Sequence, residues 1–187
     1  PRSTSSAASD VYKRQISFSK KYEKFEFQGD SWYDAIELQL LNIIKFIKNE
    51  TKEGEYFIIS DVDVHFLQPD KIIQLVRHDK DIIGMDESPG LNSGFIIAKH
   101  NSDIIDMYEY VYEQVKSKKK GLADQDEINE YLKKNKINWG FISREKVLNG
   151  NHTKVNKSTV VFHATSTKTL EEKLSKIDKL VEWYKKL

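Results

Sequence analysis

The chain contains no cysteine, which excludes disulfides and thiolate metal sites. Any metal would have to be held by carboxylate, imidazole, carbonyl or water. No apolar run approaches the ~18 consecutive residues that a membrane-crossing helix needs. Net charge is nearly absent as well: 30 basic residues face 29 acidic ones, a formal +1 that provides no global field for nucleic acid. The densest basic patch, Lys116, Lys118, Lys119 and Lys120, reads as a solvated helix end favoured by the helix dipole. Attraction to an anionic membrane surface is the alternative.

What is present suits one globular domain: 187 residues, 39% of them hydrophobic, without an internal repeat or a second domain. Residues 1–15, PRSTSSAASDVYKRQ, stand apart. They are rich in Ser and Ala, lack hydrophobic periodicity, and read as a non-native or disordered tail outside the fold. Residues 16–187 then carry the domain. KFEFQ (residues 24–28) alternates and predicts a short strand, and Gly29-Asp30-Ser31 offers a turn and an N-cap. Trp32, Ile36, Leu40, Ile43, Ile44 and Ile47 follow at helical spacing, predicting a helix to about Asn49.

Tyr56–Ser60 is a continuous apolar strand, and Pro69 and Asp70 open a helix through about Val76. Asp81–Met85 and Gly94–Ala98 read as two further buried strands. Asn101 or Ser102 caps a helix carrying Ile104, Ile105, Tyr108 and Val111; Asp124 begins another with Ile128, Tyr131 and Leu132. INWGFIS and TVVFHA look like strands, and Thr169–Leu187 is an amphipathic closing helix. Strands alternating with helices, several apolar throughout, predict an α/β domain with a mostly parallel or mixed central sheet flanked by helices.

The chemistry concentrates in YFIISDVDVHFLQP, where the strand Tyr56–Ser60 ends in Asp61 and Asp63. In open α/β sheets ligands bind beyond the carboxyl ends of strands. Residues one apart in an extended segment point the same way, so the two carboxylates would repel each other unless a divalent cation sat between them. The Asp-x-Asp pattern itself is common, and the chain has two more, Asp79/Asp81 and Asp124/Asp126. Only Asp61/Asp63 ends an apolar strand; Asp79/Asp81 lies in a charged loop.

Four segments then follow in order: LNSGFIIAKHN, ADQDEIN, INWGFIS and VFHATSTK. With the Asp-x-Asp strand, this set resembles retaining nucleotide-diphospho-sugar glycosyltransferases of families 8 and 77, which have the A-type fold. The resemblance spans about Gly29 to Lys168. It implies transfer of a sugar from a nucleotide-diphosphate donor to a glycan, protein or lipid acceptor, with anomeric configuration retained. It also implies a Mn²⁺ or Mg²⁺ cofactor held by Asp63 and His163, with Asp61 on the metal or the donor ribose. Lys168 would meet the departing phosphates, although Thr165, Ser166 and Thr167 precede it without the family's glycine, and Thr169 and Leu170 replace its Pro-Trp. Asn92, Ser93 and Gly94 would wall the transferred sugar, Asp86 would bind its hydroxyls, and Asp124 and Gln125 would sit by the reacting carbon. No side chain identifies itself as a nucleophile. His65 and His152 read as structural or surface residues.

Two other readings remain at this point. A phosphatase of the haloacid dehalogenase type also ends a strand in Asp-x-Asp, with Asp61 as nucleophile and Asp63 as acid/base, but a downstream acidic pair is not visible. The second is a non-catalytic, N-terminally truncated transferase module. The short stretch before Asp61 supplies one helix and at most one strand, so the family's base-recognising first strand is expected to be missing and donor binding to be weak.

Overall fold

A computed structural model describes residues 29–87, 89–121, 123–150, 155–165 and 169–187. The expected strand at residues 24–28, His152 and Lys168 lie outside them. The elements run α1 (Asp30–Glu50), β1 (Tyr56–Ser60), β2 (Val64–Phe66), a 3₁₀ helix (Pro69–Leu75), β3 (Ile82–Glu87), β4 (Gly90–Lys99) and α2 (Ser102–Lys118). They continue with α3 (Asp124–Lys134), β5 (Trp139–Ile142), β6 (Val147–Asn149), β7 (Val161–His163) and α4 (Leu170–Lys185).

Two mixed sheets form. The larger has the order β1-β4-β3-β5, antiparallel at β1–β4 and β4–β3 and parallel at β3–β5. The smaller has the order β2-β7-β6, antiparallel at β2–β7 and parallel at β6–β7. The period-2 alternation of strands explains how these sheets stack. Ile82, Ile96 and Ala98 join Leu40, Ile47, Met107, Val111 and Leu132 in one core beneath α1, α2 and α3. Their neighbours Ile83, Phe95 and Ile97 turn to the opposite face and pack with Val147 and Val161 of the smaller sheet. Leu148 and Phe162 point away again, onto Leu180 and Ile177 of α4. The layers are therefore helices, sheet, sheet and helix. Strands covered on both faces read as unbroken apolar runs, which is why IIGM and GFIIA lack alternation.

The helix ends follow local chemistry. Asn101 Oδ1 accepts from Ile104 N at 2.9 Å at the start of α2, and Thr169 Oγ1 accepts from Glu172 N at 3.1 Å at the start of α4. At the end of α2, Lys119 takes a left-handed φ of 42° and its ammonium pairs with Asp34 at 2.8 Å, while Lys118 pairs with Glu127 at 2.9 Å. The basic cluster is thus partly neutralised by α1 and α3. No helix among the described residues is long and apolar enough to cross a membrane.

One irregularity positions everything below. The β3–β4 register jumps between Gly84, opposite Ile96, and Met85, opposite Asn92. Ser93, Gly94 and Phe95 therefore bulge out of the β3 ladder, while Gly94 O accepts the backbone N–H of Asp61 at 2.8 Å. A bulge re-aims side chains locally, and this one turns Asn92–Gly94 toward the end of β1.

Candidate active site

Asp61, Asp63 and His163 converge where β1 ends and β7 ends. Each offers a ligand atom, and these atoms lie within 4.8 Å of one another. The carboxylates meet through a turn, not through the extended segment that the sequence suggests. Val64 N donates to Asp61 O at 3.2 Å, and Val62 projects fully into solvent at the turn's tip. β2 then pairs with β7, placing Val64 opposite His163. Ala164 N also donates to Asp63 O at 3.1 Å, which locks the two strand ends together.

His163 is 4% exposed and Asp63 9%. His163 Nε2 lies 3.1 Å from Asp63 Oδ1 and 3.6 Å from Asp61 Oδ2. Its Nδ1 lies 3.1 Å from Asn92 Oδ1. Asp63 Oδ2 takes the ammonium of Lys173 at 2.5 Å. Burial pushes the Asp63 carboxyl up, but hydrogen bonds from His163 and Lys173, with their charges, outweigh it and hold the group down at about 2. Asp61 goes the other way. Burial raises it, His163 offsets part of that, the neighbouring Asp63 charge raises it further, and a hydrogen bond to Gln39 of α1 lowers it somewhat.

Asn92 links this triangle to α3. Its Oδ1 accepts the Gly94 N–H at 2.9 Å, and its Nδ2 donates to Gln125 Oε1 at 3.0 Å and to Glu87 Oε2 at 2.5 Å. Gln125 Oε1 also accepts Ser93 N at 3.2 Å. Asp124 opens α3 after Ala123, which is held at a positive φ of 48°, a strained conformation for a residue with a side chain. Burial, then the charge of Asp61, pushes the Asp124 carboxyl up to about 7, partly offset by hydrogen bonds from Ser93 and from the helix backbone. Below it, Asn129 accepts from Leu91 N at 2.7 Å and donates to Leu91 O at 2.8 Å, fastening α3 to β4.

The site residues suggested by the sequence thus fall into three groups. Asp61, Asp63 and His163 form one centre, and Asn92, Ser93, Gly94, Asp124 and Gln125 form the wall joined to it through Asn92. Asp86 stands apart, its carboxylate engaged by Arg144 Nε at 2.9 Å, while the adjacent Glu87 is the acid that reaches Asn92. Lys168 lies outside the described residues. Glu87, Gln39 and Lys173 are contacts that sequence reasoning missed. Gln39 and Lys173 carry no motif, and Glu87 was obscured by Asp86 beside it.

Whether these groups suit a divalent cation can be judged from His163. The Gly94 backbone N–H can only donate, so the Asn92 atom it meets is the oxygen, and Nδ1 of His163 must carry the proton it shares with that oxygen. Nε2 then faces two carboxylates, a contact that is attractive only with a proton or a metal ion between them. One imidazole and two carboxylates, with the imidazole's far nitrogen anchored by an amide oxygen, is a donor set fitted to a hard or borderline divalent ion.

A sequence model of the nucleotide-diphospho-sugar transferase family matches residues 12–177. The chain belongs to that family, and it is a glycosyltransferase with an A-type fold. Among solved structures it is similar to a glycosyltransferase involved in the glycosylation of the major capsid of PBCV-1, with a TM-score of 0.59 and 15% identity over 83% of this chain and 81% of that one. No curated protein matches it. With the family shown, the phosphatase reading falls away.

Proposed function

We propose that the chain transfers a sugar from a nucleotide diphosphate to the hydroxyl of a glycan, protein or lipid acceptor, using a divalent metal held by Asp61, Asp63 and His163. The observation that carries this reading is the placement of His163 Nε2, its ring anchored by Asn92, 3.1 Å from Asp63 Oδ1 and 3.6 Å from Asp61 Oδ2. When bound there, Mn²⁺ or Mg²⁺ would act as a Lewis acid that neutralises the diphosphate leaving group.

The remaining roles belong to the protein. Asn92 fixes the His163 tautomer and, with Ser93, holds the oxygen of Gln125, so that the Gln125 NH₂ is the end presented to a sugar. Gly94 keeps the wall thin: a Cβ there would overlap the His163 ring and come within 2.7 Å of Asp61 Oδ2. Asp124, raised to about 7, can donate to or accept from a sugar hydroxyl near neutral pH. Asp86 is assigned to the rim of the sugar site and Lys168 to the leaving phosphates, both on the family resemblance. Retention is inferred on the same ground, with the acceptor attacking on the face the diphosphate leaves, a route that requires no enzyme nucleophile.

The test is a Mn²⁺-dependent thermal shift against a panel of nucleotide sugars, with NMR of the product anomer to report stereochemistry. The shift is expected in the wild type and lost in Asp63→Ala and His163→Ala. Unchanged shifts in those variants would refute the metal assignment.

A further inference from the structure

Lys173 is the residue of the site that no motif accounts for. It lies in the second turn of α4, and helical spacing puts it on the face shared by Lys176, Ile177 and Leu180. That face is the one turned toward β6 and β7. Leu180 is buried with Leu148, Phe162 and Ala164, Ile177 packs beside them, and Lys176 Nζ donates to Thr165 O at 3.0 Å just beyond β7. Gly150 N donates to the Thr165 hydroxyl at 2.9 Å, and a Cβ at Gly150 would approach Lys176 Nζ to 2.8 Å, so Lys176 packs closely over this turn.

The Lys173 ammonium reaches Asp63 from this face. Asp63 divides its oxygens, Oδ1 toward His163 Nε2 at 3.1 Å and Oδ2 toward Lys173 Nζ at 2.5 Å. On one side Lys173 meets a buried carboxylate, yet its side chain remains 32% exposed and open to an anion arriving from solvent.

We infer that Lys173 is a diphosphate-binding residue whose charge couples the metal to the donor. The inference rests on the metal reading of Asp61, Asp63 and His163. An ammonium bonded to a metal-ligand carboxylate repels a divalent cation and attracts a diphosphate, so one charge acts with opposite sign on the two ligands. Metal alone binds the less readily because of Lys173, and metal with nucleoside diphosphate the more readily. Such reciprocal coupling is a binding free energy shared between two ligands.

The experiment has two arms: Mn²⁺ affinity without nucleotide, from the free-ion EPR signal, and affinity for UDP, GDP and ADP at saturating Mn²⁺, by calorimetry. Wild type, Lys173→Met, Lys173→Gln and Lys173→Arg are compared, with Asp63→Ala as the reference for a lost metal site. In Lys173→Met, Mn²⁺ alone is expected to bind more tightly and the nucleoside diphosphate less tightly, each by roughly tenfold, the size of an ordinary site-to-site coupling. Lys173→Arg keeps both affinities near wild type. Lys173→Gln, which retains a donor toward Asp63 and protects against misfolding of the Met variant, repeats the Met pattern.

Unchanged affinities in Met and Gln variants overturn the inference, as does a parallel loss of both, which would make Lys173 a structural prop. Wild type that binds Mn²⁺ but none of the three nucleotides overturns it too. Mn²⁺ binding that survives Asp63→Ala, or is absent in wild type, instead removes the metal reading itself and this inference with it.

Discussion

Asn92 and His163, 71 residues apart in sequence, are joined side chain to side chain at 3.1 Å inside the protein. Asn92 makes that bond with the same oxygen that accepts the Gly94 N–H, so the amide cannot flip without breaking two bonds at once. The consequence is a histidine whose Nδ1 carries a proton and whose Nε2 is turned to the two carboxylates. Outer-shell partners of this kind typically affect metal affinity ten- to hundredfold.

Asn92→Ala is therefore expected to weaken Mn²⁺ binding by roughly ten- to a hundredfold, measured by calorimetry. It also strands buried donors on His163 and Gly94, at a cost of about 1–3 kcal/mol each, which appears as a lower Tm.

Gly94→Ala tests the close approach of β4 to the centre. The added methyl would overlap the His163 ring at Cε1 and press on Asp61 Oδ2 at 2.7 Å. The expected outcome is loss of Mn²⁺ binding together with a destabilisation of about 1–3 kcal/mol, in the range of overpacked cores. Retained Mn²⁺ affinity would show that the β4 wall is not in contact with the ligand set.

Asn129 supports the site from below. Its carboxamide serves both the N–H and the C=O of Leu91, and Gly90 packs so close that a Cβ there would overlap it. Asn129→Ala leaves both backbone groups without a side-chain partner, and a loss of about 2 kcal/mol follows from ordinary hydrogen-bond values. In a chain of this size that corresponds to a Tm fall of roughly 4–8 °C by scanning calorimetry. Asn129→Asp should be worse than a conservative change suggests, since a carboxylate cannot donate to Leu91 O.

Asp124 gives a pH signature. Its folded value, about 7, lies above the usual carboxylate value of 3.8, so the folded protein holds a proton that the unfolded chain releases. The contribution to stability is full below about 4 and declines as pH rises through 7. In EDTA, Asp124→Asn should escape that decline, and its Tm should rise relative to wild type between pH 5 and pH 8. A constant Tm difference across that range would argue that the Asp124 carboxyl is not raised in the folded protein.

The sequence made much of this legible, for reasons that differ by element. Tyr56–Ser60 was recognisable as a strand with its limits, because an apolar run ended by acids has few other solutions. Asn101 announced its helix through cap chemistry, and the closing helix from Thr169 through its amphipathic pattern. β2 and β6 were missed because Val64–Phe66 and Val147–Asn149 are three residues each and, unlike β7, are not set within a longer apolar run. Gly94 looked like the start of a strand, whereas β4 already begins at Gly90 and bulges at Ser93–Phe95; nothing local distinguishes a bulge from a strand end. The convergence of Asp61 and Asp63 was anticipated, but through extended geometry instead of the turn that produces it. Lys173 was invisible, since one lysine on an amphipathic helix resembles any other, and only the seating of α4 brings it to Asp63.

The other Asp-x-Asp pair near a strand provides an internal contrast. Asp79 pairs with Arg77 at 2.9 Å, and Asp81 accepts from Asn101 Nδ2 at 3.0 Å and Asn138 N at 3.2 Å, so both are occupied in holding loops. Asp79→Ala is accordingly the control variant in which Mn²⁺ binding is unaffected.

The central claim is that His163 Nε2 ligates a divalent ion beside Asp61 and Asp63. Electron spin-echo envelope modulation of protein-bound Mn²⁺ tests it most directly. The wild type should show coupling to a coordinated imidazole ¹⁴N that is abolished in His163→Gln and kept in Asp79→Ala. Bound Mn²⁺ without ¹⁴N coupling, or coupling that persists in His163→Gln, would contradict the assignment.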